Sequence, residues 1–469
     1  MEKYYLAVDI GASSGRHILG HLENGKIELE EIYRFENGMD HKDGKLLWNV
    51  ERLFGEILNG MKKCKELGKL PVSMAIDTWA VDYVLLDEKD QILGDTYGYR
   101  DHRTDGMDAE VVKILPEPEL YARTGIQKQI FNTIYQLMAV EKKTPEIMKQ
   151  AKTLLMLPDY FGFRLTGNKL SEYTNGSTTQ LVDPHTYQWD KEMIQSLGYP
   201  EAIFLPLKMP GTKVGNLLPQ IREEVGYDLE VVLCGSHDTA SAVMAVPQTE
   251  GDGIYISSGT WSLMGIESLE PIITKEAATA NFTNEGGYDH RFRFLKNIMG
   301  LWMIQSVRHE YQDAYSFAQL CDMAEESRDF SSRVDVNDQS FLSPDSMIEA
   351  IKQYCQKTGQ PVPETVGELA AVVYRSLAQS YGETVKELET IAGRIYDSIH
   401  IIGGGSNAAY LNQLTAEATG KIVYAGPGEA TAIGNLLAQM IHAGDLADLK
   451  GARQCVRDSF EIKTYVPEN

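Results

Sequence analysis

Clustered cysteine is missing from this chain of 469 residues: its five cysteines, at 64, 234, 321, 355 and 455, are scattered, odd in number and nowhere spaced C-x-x-C. No disulfide framework or zinc spacing can be read from them, H-E-x-x-H does not occur, and reduced cytosolic thiols are the plain reading. Positive charge is also short, with 44 Lys and Arg against 67 Asp and Glu and a formal charge of −23. That balance argues against nucleic acid, which needs clustered cations. Any phosphate ligand must then be held by backbone N–H groups, a metal or a few well-placed cations. No apolar run approaches the ~18 residues of a membrane span, and the opening Met1-Glu-Lys-Tyr-Tyr-Leu6 meets an acid at Asp9, so neither signal peptide nor anchor is expected. The G-x-x-x-x-G-K-[ST] loop is absent, which excludes a Walker-type NTPase. What remains is ordinary for a soluble globular protein, at 43% hydrophobic and 24% charged residues, with length for about two or three domains. The sequons at Asn175 and Asn281 are incidental in that setting.

Periodicity predicts α/β structure throughout. Residues 4–10 form a strand ending in Gly11-Ala-Ser-Ser-Gly15-Arg16, and residues 17–22 form a second, with Asn24-Gly25 as a hairpin turn. A helix is expected over Val50–Leu67 with a stop at Gly68, then strands over Val72–Asp77 and Val81–Leu86 with Asp77, Trp79 and Asp82 at the bend. Tyr99-Arg-Asp-His-Arg103 opens a helical stretch and is either a solvated charged face or a brace for the site. Residues 159–166 read as a helix with an aromatic core face and a Gly167 stop, and Glu172–Thr179 as a polar loop. After residue 253 the opening layout repeats as strand, Ser257-Ser-Gly-Thr260 turn and strand, which predicts two similar halves joined near residues 244–252. A long amphipathic helix over 367–391 follows. Next come a strand over 399–402, a Gly403-Gly-Gly405-Ser406 turn, a helix over 407–419, a strand over 421–425 and a helix over 430–442.

Several stretches carry chemistry. Cys234-Gly-Ser-His-Asp-Thr-Ala-Ser-Ala-Val243 sets His237, Asp238 and Thr239 between a strand and an Ala-rich helix. That is where α/β proteins place catalytic groups, though Asp there is also a preferred helix cap. The Gly11–Gly15 turn offers successive N–H groups and two hydroxyls for phosphate oxygens, and Arg16 adds a cation. Ser257–Thr260 is its counterpart in the other half. Asp9, beneath the first turn, can hold magnesium through water or simply cap the turn. The triple glycine leaves bare backbone for a base or ribose. It also fits G-x-G-x-x-A through Ala408, but the acid that a dinucleotide site needs is missing from Lys421–Gly426. Phosphoryl transfer needs a phosphate cradle, Mg²⁺ and a carboxylate that deprotonates the acceptor hydroxyl, and this set supplies each part once.

The chain resembles the FGGY carbohydrate kinases of the actin-like ATPase superfamily over nearly its full length. The likeness runs through Ala7–Arg16, Asp77-Thr-Trp-Ala-Val-Asp82, Tyr99–Thr104, Pro158–Phe161, Glu172-Tyr-Thr-Asn175 and Ser236–Val243. It continues through Ser257–Gly265, Thr283-Asn-Glu-Gly-Gly287, Leu295–Trp302 and Gly403–Gly405. The resemblance implies two actin-like (ribonuclease H-like) domains of mixed sheets flanked by helices, with the active site in the cleft between them. Residues 1–244 would form the sugar side, carrying the first phosphate hairpin, and 245–469 the ATP side. The activity implied is transfer of the γ-phosphoryl of ATP, with Mg²⁺, to the C1 hydroxyl of L-rhamnulose, with fuculose, xylulose and ribulose as rival ketoses of the family. A small-molecule ketose, rather than nucleic acid or membrane, is the implied partner, in the cytoplasm. Position by position, Asp238 is implied as the proton acceptor. Ala12, Ser13, Ser14, Gly15, Arg16, Thr260, Gln305 and Gly404 are implied to hold ATP. Ala80, His237, Asp238, Thr239 and Asn297 are implied to face the sugar, and Asp9 the metal. The pattern carries Gly at the position of Ala80; one methyl in an adjustable pocket is worth about 1 kcal/mol. An actin-like scaffold or a silent sugar sensor fits less well, because neither has a use for a sugar-facing base.

Overall fold

The computed structural model describes residues 2–248 and 253–468; of the expected joint at 244–252, residues 249–252 lie outside them. The chain forms two compact units that interleave in sequence. The first comprises residues 1–245, 267–294 and 431–459, and the second comprises 246–266, 295–430 and 460–469. A single division of the chain near 244/245 thus leaves out two excursions back into the first unit.

In the first unit, strands β1 (Tyr4–Ile10), β2 (Ser14–Glu23) and β3 (Lys26–Glu36) make the expected meander. Its second turn places Asn24 and Gly25 at φ of +51° and +79°, as a type I′ hairpin requires. The first turn is tighter than the motif suggests, since Ser14 to Arg16 already belong to β2. Helix α1 (Val50–Glu66) is started by the Asn49 side chain, which accepts from Arg52 N, and stops where Gly68 takes φ +69°. Its apolar stripe, Leu53, Phe54, Ile57, Leu58 and Met61, lies in one core with Leu6, Val8, Met74 and Ile76. At roughly 1.5–3 kcal/mol for each fully buried side chain of this size, that stripe holds the helix on the sheet. Strand β4 (Pro71–Thr78) runs parallel to β1, and β5 (Lys213–Asn216) and β6 (Glu230–Val232) complete the order β5-β6-β4-β1-β2-β3. Helix α2 (Asp238–Met244) follows β6.

The second unit repeats that wiring. Strands β7 (Ile254–Ser258) and β8 (Trp261–Ser268) are antiparallel, and β9 (Phe292–Met299) lies beside β8. Helix α3 (Val366–Ala392) starts with a Thr365–Glu368 capping box. It leads to β10 (Ser398–Ile402), which is parallel to β7. Helix α4 (Ala409–Thr419), β11 (Ile422–Ala425) and β12 (Lys463–Tyr465) follow in the order β9-β8-β7-β10-β11-β12, and the strand Thr283–Gly286 beside β9 makes a seventh at that edge. In both sheets the first strand lies between an antiparallel partner and a parallel one, and an antiparallel strand forms the far edge. Two later helices, α5 (Ala430–His442) and α6 (Leu449–Ser459), belong almost wholly to the first unit. Helix α5 packs Ala432, Leu436 and Met440 on Tyr5, Ala7 and Ile18, on the sheet face opposite α1.

Two expectations change. Val81 does not begin a strand: it takes φ +67°, and the strand starts at Tyr83. Glu172–Thr179, which reads as a polar loop that lines a cleft or as a plain turn, is a buried helical turn, Tyr173–Ser177, capped by the Glu172 carboxylate.

Candidate active site

Carboxylates gather in the first unit because adjacent parallel strands place them there. Asp9 on β1 is level with Asp77 on β4, and Arg16 on β2 is opposite Asp9. Arg16 Nε and Nη2 each lie 2.9 Å from Asp9 Oδ2. Asp77 is fully buried. Its Oδ2 accepts from Asn435 Nδ2 at 2.6 Å, while Oδ1 has no hydrogen-bond partner. Burial, reinforced by the charge of Asp9, pushes the Asp77 carboxyl well above the ordinary carboxylate range. Behind it a polar chain runs through α5: Gln439 Nε2 donates to Asn435 Oδ1 at 2.8 Å, and Ser73 Oγ donates to Gln439 Oε1 at 2.7 Å.

Asp238 occupies the first turn of α2, but the cap position belongs to His237, whose side chain caps nothing. The Asp238 carboxylate is instead fixed by its neighbours. Thr239 N and Oγ1 donate to Oδ1 at 2.6 and 3.1 Å, and His237 Nε2 lies 3.4 Å from the same oxygen. All these contacts fall on Oδ1, and Oδ2 has no hydrogen-bond partner among the described residues. The side chain remains one-third exposed. Partial burial raises its pKa above that of an ordinary aspartate, against the lowering influence of His237. His237 stands on a buried ion pair: Arg293 Nη2 is 3.0 Å from its Nδ1, and Glu285 Oε2 is 3.2 Å from Nδ1 and 3.0 Å from Nη2.

Ala80 belongs beside this group. Thr78 N donates to Ser236 O at 2.9 Å, which sets the 79–82 loop against 236–239. The left-handed Val81 costs about 1–3 kcal/mol for a β-branched residue. Its carbonyl is held by Thr133 Oγ1 and Gln136 Nε2. Next to it the buried Asp82 takes Trp48 Nε1, Trp79 Nε1 and Tyr99 N on Oδ2 and Gln136 Nε2 on Oδ1. Burial outweighs these donors and lifts its pKa to about 6. Trp48 and Trp79 are thereby pinned with ring centres 4.0 Å apart. Tyr99–Arg103 is largely a brace: Asp101 accepts from Leu46 N and Arg103 N, and Arg103 bonds Gln136 and covers the Tyr97 ring. On the other side, Glu172 binds Ser236 N and Oγ and so holds the segment leading to Asp238.

In the second unit, Ser258 is the pivot. Thr260 Oγ1 lies 3.4 Å from Gln305 Oε1, and Trp302 N donates to Thr260 O, so the turn and the helix Trp302–Glu310 meet. Gly403 and Gly405 press on Ser258, where added Cβ atoms would stand 3.0 Å from its carbonyl oxygen and 1.9 Å from its Oγ, whereas Gly404 faces open space. Asn297, on β9, has a buried Oδ1 with no hydrogen-bond partner. In the first unit Ala12 to Arg16 are gathered by the turn itself. Gly15 has a packing reason of its own, since a Cβ there would lie 2.1 Å from the Phe35 ring. Sequence reasoning assigned no role to Glu172, Glu285, Arg293 or Asn435. A glutamate next to two Thr/Asn donors hinted at the first, Glu285 stood in the Thr283–Gly287 block without a role of its own, and nothing local marked Arg293 or Asn435. Among the described residues, no group of three or more His, Cys, Asp or Glu side chains is close enough to hold a metal directly.

The N-terminal domain of the FGGY family of carbohydrate kinases matches residues 4–245, and its C-terminal domain matches residues 254–443. The chain belongs to the FGGY family of carbohydrate kinases. It is 54% identical over 463 residues to a rhamnulokinase of Halalkalibacterium halodurans, covering 99% of this chain and 98% of that protein. It is 47% identical over 468 residues to a rhamnulokinase of Bacillus subtilis, covering 99% and 96%. Among solved structures it shares its fold with a xylulose kinase from Lactobacillus acidophilus (TM-score 0.79, 15% identity, 99% and 94% covered). It likewise shares it with a Plasmodium falciparum glycerol kinase bound to ADP (TM-score 0.80, 14% identity, 100% and 95% covered). No helix among the described residues is long and apolar enough to cross a membrane.

Proposed function

We propose that this chain is a cytoplasmic kinase of rhamnose catabolism that transfers the γ-phosphoryl of ATP to the C1 hydroxyl of L-rhamnulose, giving L-rhamnulose 1-phosphate and ADP. The full-length similarity to rhamnulokinases supports the substrate. The geometry of Asp238 carries the chemistry: Thr239 holds Oδ1 through two hydrogen bonds with His237 Nε2 3.4 Å away, and Oδ2 is left to a ligand. A carboxylate held on one oxygen points the other in a defined direction. The acceptor hydroxyl donates its proton to Oδ2, its oxygen attacks the γ-phosphorus, and the bond to the β-phosphate oxygen breaks to release ADP. His237, Thr239, Ala80 and Asn297 are the sugar contacts in this reading. The unpartnered Asn297 Oδ1 is the kind of buried acceptor that a hydroxyl satisfies.

Ala12, Ser13, Ser14, Gly15 and Arg16 of the first unit and Thr260, Gln305 and Gly404 of the second are the nucleotide contacts. The ketose lies mainly on residues 1–244 and ATP mainly on residues 245–469. Asp9 suits a Mg²⁺ that keeps most of its water and binds through a carboxylate and the phosphates. When bound, Mg²⁺ would offset the charge on the β- and γ-phosphates.

The test is ketose-dependent ADP release with L-rhamnulose, L-fuculose, D-xylulose and D-ribulose, beside Asp238→Asn. L-Rhamnulose should be turned over fastest, and the variant should lose about 10²–10⁴-fold in kcat. Another ketose in first place would overturn the substrate, and near wild-type turnover in the variant would remove Asp238 as the base.

A further inference from the structure

We infer that Glu285 and Arg293 are positioning residues that hold the His237 ring as its Nε2–H tautomer, presenting that N–H toward Asp238; the inference rests on the sugar-kinase reading of this site. Arg293 is fully buried, and Glu285 and His237 are each 7% exposed. A buried ion pair contributes little net stability, because desolvation offsets attraction, so its presence beneath a sugar-facing histidine needs another reason.

Donor and acceptor inventory supplies it. A guanidinium donates and never accepts. Arg293 Nη2 stands 3.0 Å from His237 Nδ1, so Nδ1 must offer its lone pair and the ring proton must sit on Nε2. Nε2, which then carries the hydrogen, lies 3.4 Å from Asp238 Oδ1. The opposite tautomer fails at Nδ1, where its hydrogen would abut the Nη2 donor. Glu285 Oε2 lies 3.2 Å from Nδ1 but makes no well-directed hydrogen bond to it. Its part is to balance the guanidinium, 3.0 Å from Nη2, so that the positive charge can remain buried. Arg293 is itself aimed by its Nε, which donates to Gly286 O at 2.9 Å. The resulting order is Gly286 carbonyl, Arg293, His237, with each hydrogen bond fixing the direction of the next group and Asp238 beside the ring. Without it the ring could take either tautomer.

¹⁵N labelling of histidine in the intact chain reads the tautomer, with His237→Gln locating the signal. At neutral pH we expect a bare Nδ1 and a protonated Nε2; a proton on Nδ1 overturns the inference. Arg293→Met should move the proton to Nδ1 and lower kcat/KM for L-rhamnulose about 10–100-fold, by analogy with the loss when the partner that orients a metal-bound histidine is removed. If that variant loses activity while keeping Nε2–H, Arg293 is only structural and the inference fails. Glu285→Gln retains the Arg293 donor and should keep the Nε2–H tautomer. Together with the wild-type spectrum it decides the ring assignment even if Arg293→Met does not fold. A chain with the expected tautomer that phosphorylates no ketose would sink the proposed function and leave the ring assignment standing.

Discussion

Gly404→Ala separates the needs of the fold from those of the nucleotide. Of the three consecutive glycines, Gly403 takes φ +81° and lies against the Ser258 carbonyl, and Gly405 has no room for a Cβ beside Ser258 Oγ. Gly404 has neither constraint: a methyl there meets nothing within 4 Å, and its φ lies outside the left-handed region. Alanine at a compatible glycine position stabilises a protein by about 0.4–1 kcal/mol through the unfolded chain. The variant should therefore match or slightly exceed the wild type in urea unfolding. If ATP lies on that bare backbone, the methyl intrudes on a formed contact at a cost of about 1–3 kcal/mol. At 1.4 kcal/mol per tenfold, that is a rise of roughly 5- to 150-fold in the KM for ATP. Initial rates of ADP release, with ATP varied at saturating ketose, measure it, and the KM for the ketose should hold. An unchanged KM for ATP in a stably folded variant would falsify the placement of Gly404 at the nucleotide.

Asp82→Asn keeps the volume but replaces an oxygen with an NH₂ where four buried donors converge, so at least one loses its acceptor. The expected cost is about 1–3 kcal/mol in urea unfolding, and no measurable loss would refute the bonding described. Its carboxyl has a pKa raised to about 6 from 3.8, so the folded state binds that proton more tightly than the unfolded one. The stabilisation is full below pH 3.8 and is lost as pH rises through about 6, a dependence the variant should lack. The raised pKa of Asp238 predicts that kcat/KM falls on acidification at a pH above 3.8, because the base must be ionised. A profile that stays flat down to 3.8 would contradict that environment.

The fold was legible wherever a short-range rule acts. Asn24-Gly25 turns as its sequence demands, the glycines at 68, 167 and 420 stop their helices with positive φ, and the second half repeats the first as its strand-turn-strand pattern implied. Reading failed where burial overrode local preference. Glu172–Thr179 has the composition of a surface loop, yet Glu172 is fully buried because its carboxylate collects donors from Thr174, Asn175 and Ser236. Val81 has a strand former's side chain but is held in a left-handed turn by bonds to its carbonyl from Thr133 and Gln136, about fifty residues away.

The amino-acid sequence by itself determined the family, the α/β class, and the short motifs that carry Asp9, Arg16, His237, Asp238 and the glycine turn, because each is a run of neighbours with one backbone geometry. Only the tertiary structure decided what surrounds them. Asn435 reaches Asp77 across 358 positions of sequence, Arg293 reaches His237 across 56, and the far ends of the chain are divided between the two units. Those partners carry no local signature, since an asparagine or arginine is recruited by the vacant lone pair it happens to pack against, and which lone pair that is depends on the whole chain being folded.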